Sequence, residues 1–211
     1  ERSYLFRWLL YCLSGDTSLR CWLVNQGEGD NGKSVLWGVV QEILGDLAQK
    51  VEASVLKRND SSHNSNRLLM RDRRLTRIEE GGRTDVDVEM IKDATGGERS
   101  YEGRYAGAAR GVKVAMVSKI VVNVNGAPNM EVRDRAVRRR TIIFPWRVKV
   151  ADLKDRGVVL DPLLRDKIIE NELPGVLQRI LREGRAVWSL GLTDSDHIPE
   201  GVNAHIRKSV K

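Results

Sequence analysis

Short apolar runs alternate with polar turns along the N-terminal part of the chain. Residues 4–13 carry enough apolar positions to predict a mostly buried helix. Residues 21–24 (Cys-Trp-Leu-Val) predict a short buried strand, and residues 35–40 begin a helix that we expect to end near Leu44, with Gly45 as its cap. The pattern therefore predicts a packing helix, a strand and a second helix, with a glycine-rich segment between the strand and the second helix.

Three more apolar runs predict strands, at residues 74–79, 119–125 and 141–144. Between the first two of these, residues 86–94 have apolar positions at helical spacing, which predicts a helix. The run at residues 119–125 is the clearest strand of the chain, because four of its seven residues are isoleucine or valine.

The C-terminal part of the chain predicts helices. Apolar positions repeat at helical spacing over residues 173–181, which gives one apolar face. Proline and glycine interrupt helices, so we expect the helices of residues 161–190 to be separated at Pro174 and Gly184.

The segment between the first strand and its helix carries the most specific chemical pattern. It reads Gly-Glu-Gly-Asp-Asn-Gly-Lys-Ser and fits the phosphate-loop pattern G-x-x-x-x-G-K-[ST] at every fixed position. The glycines let backbone N–H groups point at phosphate oxygens, aided by the positive end of the following helix. We predict that Lys33 contacts the β- and γ-phosphates of a nucleotide and that the Ser34 hydroxyl holds Mg²⁺. The predicted nucleotide-binding residues are Gly27, Glu28, Gly29, Asp30, Asn31, Gly32, Lys33 and Ser34.

Two carboxylates end the strand predicted at residues 74–79. Glu79 and Glu80 stand before a Gly-Gly turn. Beside a phosphate loop, one carboxylate helps to hold Mg²⁺ and another orients or deprotonates the attacking water. We therefore predict that Glu79 binds the metal and that both glutamates are catalytic. Arg77 departs from this pattern, because it places a charge inside a strand that should be buried.

A polar residue ends the strand at residues 119–125. Asn125 at that tip could hydrogen-bond both the γ-phosphate and the hydrolytic water. Asn123, two residues earlier, shares its face of the strand and is the competing candidate.

The net charge and the clustering of the basic residues indicate a polyanionic partner. The formal net charge is +7, and the basic residues cluster at residues 71–74 and 133–140, with a looser set at residues 99–119. Residues 98–107 combine basic and aromatic side chains with glycines, which predicts a hairpin or an exposed loop that contacts a nucleic-acid backbone. The predicted contact residues of this segment are Arg99, Tyr101, Arg104 and Tyr105.

The surroundings of the two cysteines and the lengths of the apolar runs each exclude some classes of protein. Cys12 and Cys21 lie in apolar surroundings without metal-ligand spacing, which predicts buried free thiols. No apolar run approaches the roughly 18 residues of a membrane span, and no secretory leader is visible, so we expect an intracellular protein.

Taken in their order, these motifs resemble those of superfamily 3 helicases, and most of all the helicase half of phage, plasmid and poxvirus-type primase-helicases. The resemblance extends to residues 172–177 and 191–192, and so covers nearly all of the chain. The motifs that carry it are the phosphate loop, Glu79-Glu80, the Lys-Asp-Ala-Thr-Gly-Gly-Glu run at residues 92–98, Asn125 with Pro128, and Arg139-Arg140.

The resemblance implies an AAA+-type α/β fold, a P-loop NTPase core with a central sheet flanked by helices and a C-terminal helical region. It divides the chain into an N-terminal helical segment (1–20), the ATPase core (21–147) and the C-terminal helical region (148–211). These would belong to a longer protein, on which a primase or polymerase module can accompany the helicase.

The resemblance also implies an activity. Members of the family bind ATP and Mg²⁺, assemble as a homo-oligomeric ring, usually a hexamer, and hydrolyse ATP between subunits to translocate on single-stranded DNA. By the same resemblance, a hairpin from about Arg99 to Lys113 would grip the DNA in the channel, which adds Arg110 and Lys113 to the predicted contact residues. Arg139 or Arg140 would supply the finger that reaches the neighbouring subunit's site, where a guanidinium can neutralise charge on the transferred phosphoryl group. Two alternatives use the same pocket: an ATP-driven nucleic-acid loading factor or switch without unwinding activity, and a small-molecule kinase.

Overall fold

The computed structural model describes residues 1–56, 68–79, 87–96, 100–103, 110–115, 117–125, 134–154, 157–190 and 199–202. Its helices are α1 (Arg2–Leu13), α2 (Lys33–Leu44), α3 (Val88–Thr95), α4 (Arg135–Arg140), α5 (Val150–Lys154), α6 (Leu164–Asn171) and α7 (Leu173–Ala186). Its strands are β1 (Trp22–Gln26), β2 (Ala48–Glu52), β3 (Leu75–Glu79), β4 (Ser100–Gly103), β5 (Val112–Ala115), β6 (Lys119–Val124) and β7 (Thr141–Pro145).

A five-stranded sheet in the order β2-β3-β6-β1-β7 forms the centre of the fold, and all of its pairings are parallel. Because the strands run the same way, their carboxyl ends meet at one edge. The strand β1, which leads into the phosphate loop, is flanked by β6 and β7. The strand β3, which ends in Glu79, lies on the far side of β6.

The two faces of the sheet are covered by different helices. Alternate residues of each strand point to opposite faces. Leu23 faces a core formed with α1, α2 and α7, whereas Trp22 and Val24 face a core that includes Met90 and Ile91 of α3. A sheet covered on both sides explains why the central strands read as continuous apolar runs. The predicted fold class, an α/β core with a central sheet flanked by helices and a C-terminal helical region, is confirmed.

A buried lysine fastens α1 to the sheet. Lys119 at the start of β6 donates from Nζ to the Ser14 carbonyl, and Arg74 Nη1 donates to the Leu13 carbonyl at 2.7 Å. Both cations meet the carboxyl end of α1, where unpaired carbonyls and the helix dipole favour positive charge. Burial lowers the pKa of Lys119 to about 8. The predicted buried free thiols, Cys12 and Cys21, are confirmed, and burial raises the pKa of each to about 12.

Most of the predicted elements are present, including the cap at Gly45, which has a φ of +52°. Three elements, β2, α4 and α5, are not predicted individually from the sequence. The edge strand β2 exposes two of its five residues, and Gln49 and Lys50 separate its apolar residues Ala48 and Val51, so it lacks an apolar run. The helix α4 has four arginines among its six residues and buries only Val137. Within the described residues, no helix is both long enough and apolar enough to cross a membrane.

The prediction that helices separate at Pro174 and Gly184 is wrong. The break lies at Glu172, and both residues are inside α7. Pro174 occupies the first turn of the helix, where the missing N–H costs nothing. Gly184 lies where α7 crosses α1. A Cβ there would stand 2.7 Å from Leu10 Cβ and 3.0 Å from the Phe6 carbonyl oxygen, so the close approach needs a glycine.

Two glycine substitutions in α7 test this packing. Gly184→Ala should lower the free energy of unfolding by about 1–3 kcal/mol, because the added methyl group overlaps α1. Gly175→Ala is the matched control. Apart from its chain neighbours and the backbone of its own helix, no described heavy atom lies within 4 Å of the point where the added methyl group would stand. Alanine should therefore raise stability by up to about 1 kcal/mol through helix propensity. Urea unfolding of both variants measures the difference, and equal effects would contradict the close approach.

Candidate nucleotide-binding site

The phosphate loop joins β1 to α2 at the carboxyl edge of the sheet. Gly32 precedes the first helical residue with a φ of +83°, a conformation that favours glycine. Gly27 follows β1, and a Cβ there would overlap the backbone carbonyl of Trp146. Glycine is therefore favoured at position 32 by the backbone conformation and at position 27 by the lack of space for a side chain.

Lys33 points into the loop. Its ammonium donates to the Gly27 carbonyl at 2.7 Å, to Asn31 Oδ1 at 2.8 Å and to the Glu28 carbonyl at 3.3 Å. The residue is 5% exposed, and burial lowers its pKa, although the Glu79 carboxylate opposes this shift. Lys33 thus places a positive charge inside a loop of backbone N–H groups. Both the charge and these donors favour the binding of phosphate oxygens.

Asn31 braces the loop from within. Its Nδ2 donates to the Glu28 carbonyl at 2.6 Å and to the Trp146 carbonyl at 3.3 Å, while its Oδ1 accepts from Lys33. The Glu28 side chain points outward to an ion pair with Lys149, which lowers the pKa of Glu28. Asn31 and Glu28 therefore hold the loop's shape. Of the other predicted loop residues, Gly29 and Asp30 are exposed.

Ser34 and Glu79 come together although they are far apart in sequence. The Ser34 hydroxyl donates to Glu79 Oε2 at 3.3 Å. The other carboxylate oxygen, Oε1, accepts from Arg77 Nε at 2.7 Å and from Asn123 Nδ2 at 3.0 Å. Two donors thus hold Oε1, and Oε2 faces the hydroxyl at the start of α2.

A hydroxyl oxygen and a carboxylate oxygen are ligands that Mg²⁺ prefers, so the pair fits this metal. Among the described residues, no group of three or more His, Cys, Asp and Glu could hold a metal ion. In phosphate sites Mg²⁺ usually takes one or two protein ligands together with phosphate oxygens and water, and Ser34 and Glu79 could supply two such ligands.

The buried charge of Arg77 is explained by this contact. Arg77 and Glu79 lie on the same face of β3, two residues apart, and Arg77 Nη1 also donates to Gln41 Oε1 of α2 at 3.4 Å. The guanidinium is nearly buried, so the carboxylate neutralises a charge that would otherwise be costly. Arg77 therefore belongs to the site.

The two candidate asparagines of β6 have different surroundings. Asn123 is 3% exposed and donates to Glu79, whereas Asn125 follows the strand and is exposed. The strand register places Asn123 level with Glu79 on one side and with Asn25 of β1 on the other. The structure thus brings Asn123, and not Asn125, into contact with the predicted metal-binding carboxylate.

Three of the predicted nucleic-acid contacts, Tyr101, Arg110 and Lys113, lie on or next to a pair of antiparallel strands. Strands β4 and β5 pair antiparallel, as one of the two alternatives expected. Tyr101 lies on β4, and Arg110 and Lys113 are exposed. The remaining predicted residues, Arg99, Arg104, Tyr105 and the catalytic candidate Glu80, lie outside the described residues.

The arginine pair ends α4 and lies far from the phosphate loop of the same chain. Arg139 is exposed, and Arg140 is partly buried and donates from Nη1 to the Ala136 carbonyl at 3.1 Å. Both precede β7, whereas the phosphate loop lies beyond the opposite end of the neighbouring strand β1. At roughly 3.3 Å per residue, the five residues of β7 separate the arginine pair from the phosphate loop by about 16 Å along the strand direction.

Asn25 and Trp146 are site residues that no sequence motif predicts. Trp146 lies beside the phosphate loop, and its backbone N–H donates to the Gln26 carbonyl at 2.7 Å. Asn25 is a fully buried polar residue on β1. The signal that could have found it is a polar residue at the end of an apolar strand run, directly before the loop.

Comparison with known proteins gives the fold and no family. No protein-family model matches the chain, and no curated protein matches it either. Solved structures that resemble it include three of the C-terminal region of NrS-1. An A-form apo structure has a TM-score of 0.63 at 11% identity over 99% of this chain and 47% of that chain. An A-form apo structure of residues 305–718 has a TM-score of 0.62 at 10% identity, over 91% and 46%.

An apo structure of the same 305–718 region has a TM-score of 0.61 at 14% identity, over 98% of this chain and 46% of that chain. The chain therefore spans about half the length of these structures. At such low identity the similarity shows a shared fold. Fold and loop together define the class, a P-loop NTPase-like α/β protein.

Replacing each asparagine of β6 tests which one is built into the site. Asn123→Ala should lower the free energy of unfolding by about 1–3 kcal/mol, because it leaves the buried Asn25 amide without its acceptor. Asn125→Ala should change stability by less than about 0.5 kcal/mol, since that residue is exposed. Urea unfolding measures both, and a larger loss for Asn125→Ala would contradict the assignment.

Proposed function

We propose that this chain is the ATPase motor of a ring helicase that translocates on single-stranded DNA, using ATP and Mg²⁺ at the interfaces between its subunits. The observation that carries the proposal is the convergence of Lys33, Ser34 and Glu79 at the carboxyl edge of the sheet. The order of the motifs, which resembles that of superfamily 3 helicases, supports the choice of reaction.

The phosphate loop would bind the triphosphate. The Lys33 ammonium would exchange its contacts with the loop for the β- and γ-phosphate oxygens, where it can neutralise charge that develops during hydrolysis. Ser34 and Glu79 Oε2 would hold Mg²⁺, which supplies electrostatic stabilisation of the phosphates when bound. Asn123, which donates to Glu79, is our candidate for the sensor, and Glu80 for the residue that orients the attacking water.

The position of the arginine pair supports a shared site. Arg139 and Arg140 lie at the amino edge of the sheet, too far to reach the phosphate loop of their own chain. A homo-oligomeric ring would let the pair serve the site of the next subunit. A guanidinium placed there would stabilise the transferred phosphoryl group.

The positive charge and the hairpin support a nucleic-acid substrate. The exposed Arg110 and Lys113 lie at the hairpin of β4 and β5, and the chain carries a net charge of +7. Exposed cations such as Arg110 and Lys113 can contact the phosphates of single-stranded DNA, and an aromatic residue such as Tyr101 on the paired strand would offer a stacking face to a base.

Steady-state ATP hydrolysis, with and without single-stranded DNA, tests the function. The rate per subunit should rise with protein concentration and with DNA, because each site would need a neighbour's arginine. Lys33→Ala should reduce turnover at least about 100-fold, since it removes a charge that the transition state needs. Lys50→Ala, which replaces an exposed lysine on β2, is the matched control and should leave the rate unchanged.

A rate that is independent of DNA and of protein concentration would contradict the motor and favour a small-molecule kinase. Strand separation on a forked duplex would distinguish a helicase from a loading factor or switch. DNA-stimulated hydrolysis without any unwinding would favour the loading factor.

Mixing two inactive variants tests the shared site. Rings that combine Lys33→Ala subunits with Arg139→Ala/Arg140→Ala subunits should regain part of the hydrolysis. Some interfaces then pair an intact phosphate loop with an intact arginine. Arg139→Ala and Arg140→Ala, tested singly, would show which residue acts. No recovery in rings shown to be mixed would contradict action between subunits.

A further inference from the structure

A chain of hydrogen bonds crosses the sheet from Trp146 to Glu79. Trp146 Nε1 donates to Asn25 Oδ1 at 2.9 Å, and Asn25 Nδ2 donates to Asn123 Oδ1 at 3.0 Å. Asn123 Nδ2 then donates to Glu79 Oε1 at 3.0 Å. The three strand residues are level with one another in the register of β1, β6 and β3. We call these four residues the relay.

The two ends of the relay fix its direction. An indole N–H can only donate, and an ionised carboxylate can only accept. The carbonyl of Asn25 must therefore face Trp146, so its NH₂ faces Asn123. The carbonyl of Asn123 must accept from it, so the NH₂ of Asn123 faces Glu79. Both ends require the same orientation of the two amides.

Burial keeps this orientation from exchanging with water. Asn25 is 0% exposed and Asn123 is 3% exposed, so their polar groups depend on one another. Trp146 also contacts the phosphate loop, because its backbone carbonyl accepts from Asn31 Nδ2. The relay thus begins at a residue that the loop touches and ends at the carboxylate beside Ser34.

We propose that Asn25 and Trp146 are positioning residues, which act through Asn123 to hold Glu79 Oε1 so that Oε2 is presented to Mg²⁺. This inference rests on the proposed function, because it concerns the metal ligand of the same site. Arg77 holds Oε1 from the other side. Without the relay, the carboxylate keeps the ion pair with Arg77 but loses the second contact that fixes its rotation.

Asn25→Asp tests the direction of the relay. Aspartate has the shape of asparagine and still accepts from the indole, but it cannot donate to Asn123. We follow the binding of mant-ADP by fluorescence anisotropy during a Mg²⁺ titration. The Mg²⁺ concentration at the midpoint of this titration should be at least about tenfold higher for the variant than for the wild-type protein. Affinity without Mg²⁺ should change little, since the phosphate loop is intact. Asn171→Asp, at an exposed position in α6, is the control.

Trp146→Phe is the second variant, because it keeps an aromatic ring and the backbone contacts and removes only the N–H. It should shift the Mg²⁺ requirement in the same direction, whereas Trp188→Phe, on an exposed tryptophan, should not. A purely structural role would weaken nucleotide binding equally with and without Mg²⁺. That result, or no shift in either relay variant, would overturn the proposal.

A compensating pair provides a readout that does not depend on activity. In Asn25→Asp/Glu79→Gln the two hydrogen bonds of Asn123 can reverse, since glutamine donates to the Asn123 carbonyl and Asn123 donates to the aspartate, which still accepts from the indole of Trp146. The double variant should therefore be more stable to urea than the sum of the two single effects predicts. Additive effects would overturn the relay.

The two proposals fail in different ways. If the wild-type protein shows no nucleotide binding that depends on Mg²⁺, the proposed function fails, while the urea experiment still tests the relay. If the wild-type protein shows such binding and Asn25→Asp and Trp146→Phe match it, the inference on positioning fails and the proposed function stands.

Discussion

The parallel pairing of β3, β6 and β1 is the constraint on which the site depends. Because these strands run in the same direction and in matched register, Glu79, Asn123 and Asn25 lie level at the edge where the phosphate loop begins. A shift of one residue in any of these strands would turn its side chain to the opposite face of the sheet. The same direction of the strands places Arg139 and Arg140 at the other edge, which is why the proposed shared site needs a second subunit.

The site is built from polar groups that are costly to bury, and each is satisfied by a specific partner. Lys33 is surrounded by oxygens of its own loop, and Arg77 is neutralised by Glu79. In a medium of low polarity such contacts are directional and strong, and a missing partner is expensive. The polar edge is therefore held by directional contacts, as the proposed hydrolysis of ATP would require. Away from the site, Lys119 obeys the same rule, since it meets the carboxyl end of α1.

Much of the fold follows from local sequence. The apolar runs of the central strands predict buried strands, because a sheet covered on both faces excludes polar residues from its middle. The phosphate loop is equally local, since its glycines, Lys33 and Ser34 lie within eight consecutive residues. Elements that depend on context are not predicted: β2 has no apolar run, and α4 is mostly arginine. Pro174 and Gly184 mislead for the same reason, because position within α7 and contact with α1 decide their effect.

The sequence by itself determined the class of fold, the phosphate loop and the identity of Glu79 as an acidic residue at a strand end. These features are carried by neighbouring residues, whose backbone conformation and spacing are set locally. Only the tertiary structure decided that Asn123 contacts Glu79 and that Asn25 and Trp146 complete the relay. The two hydrogen bonds of Asn25, with Asn123 and with Trp146, join residues that are 98 and 121 positions apart in the sequence. Strand order and register bring these residues together, and no local sequence pattern encodes the strand order or the register.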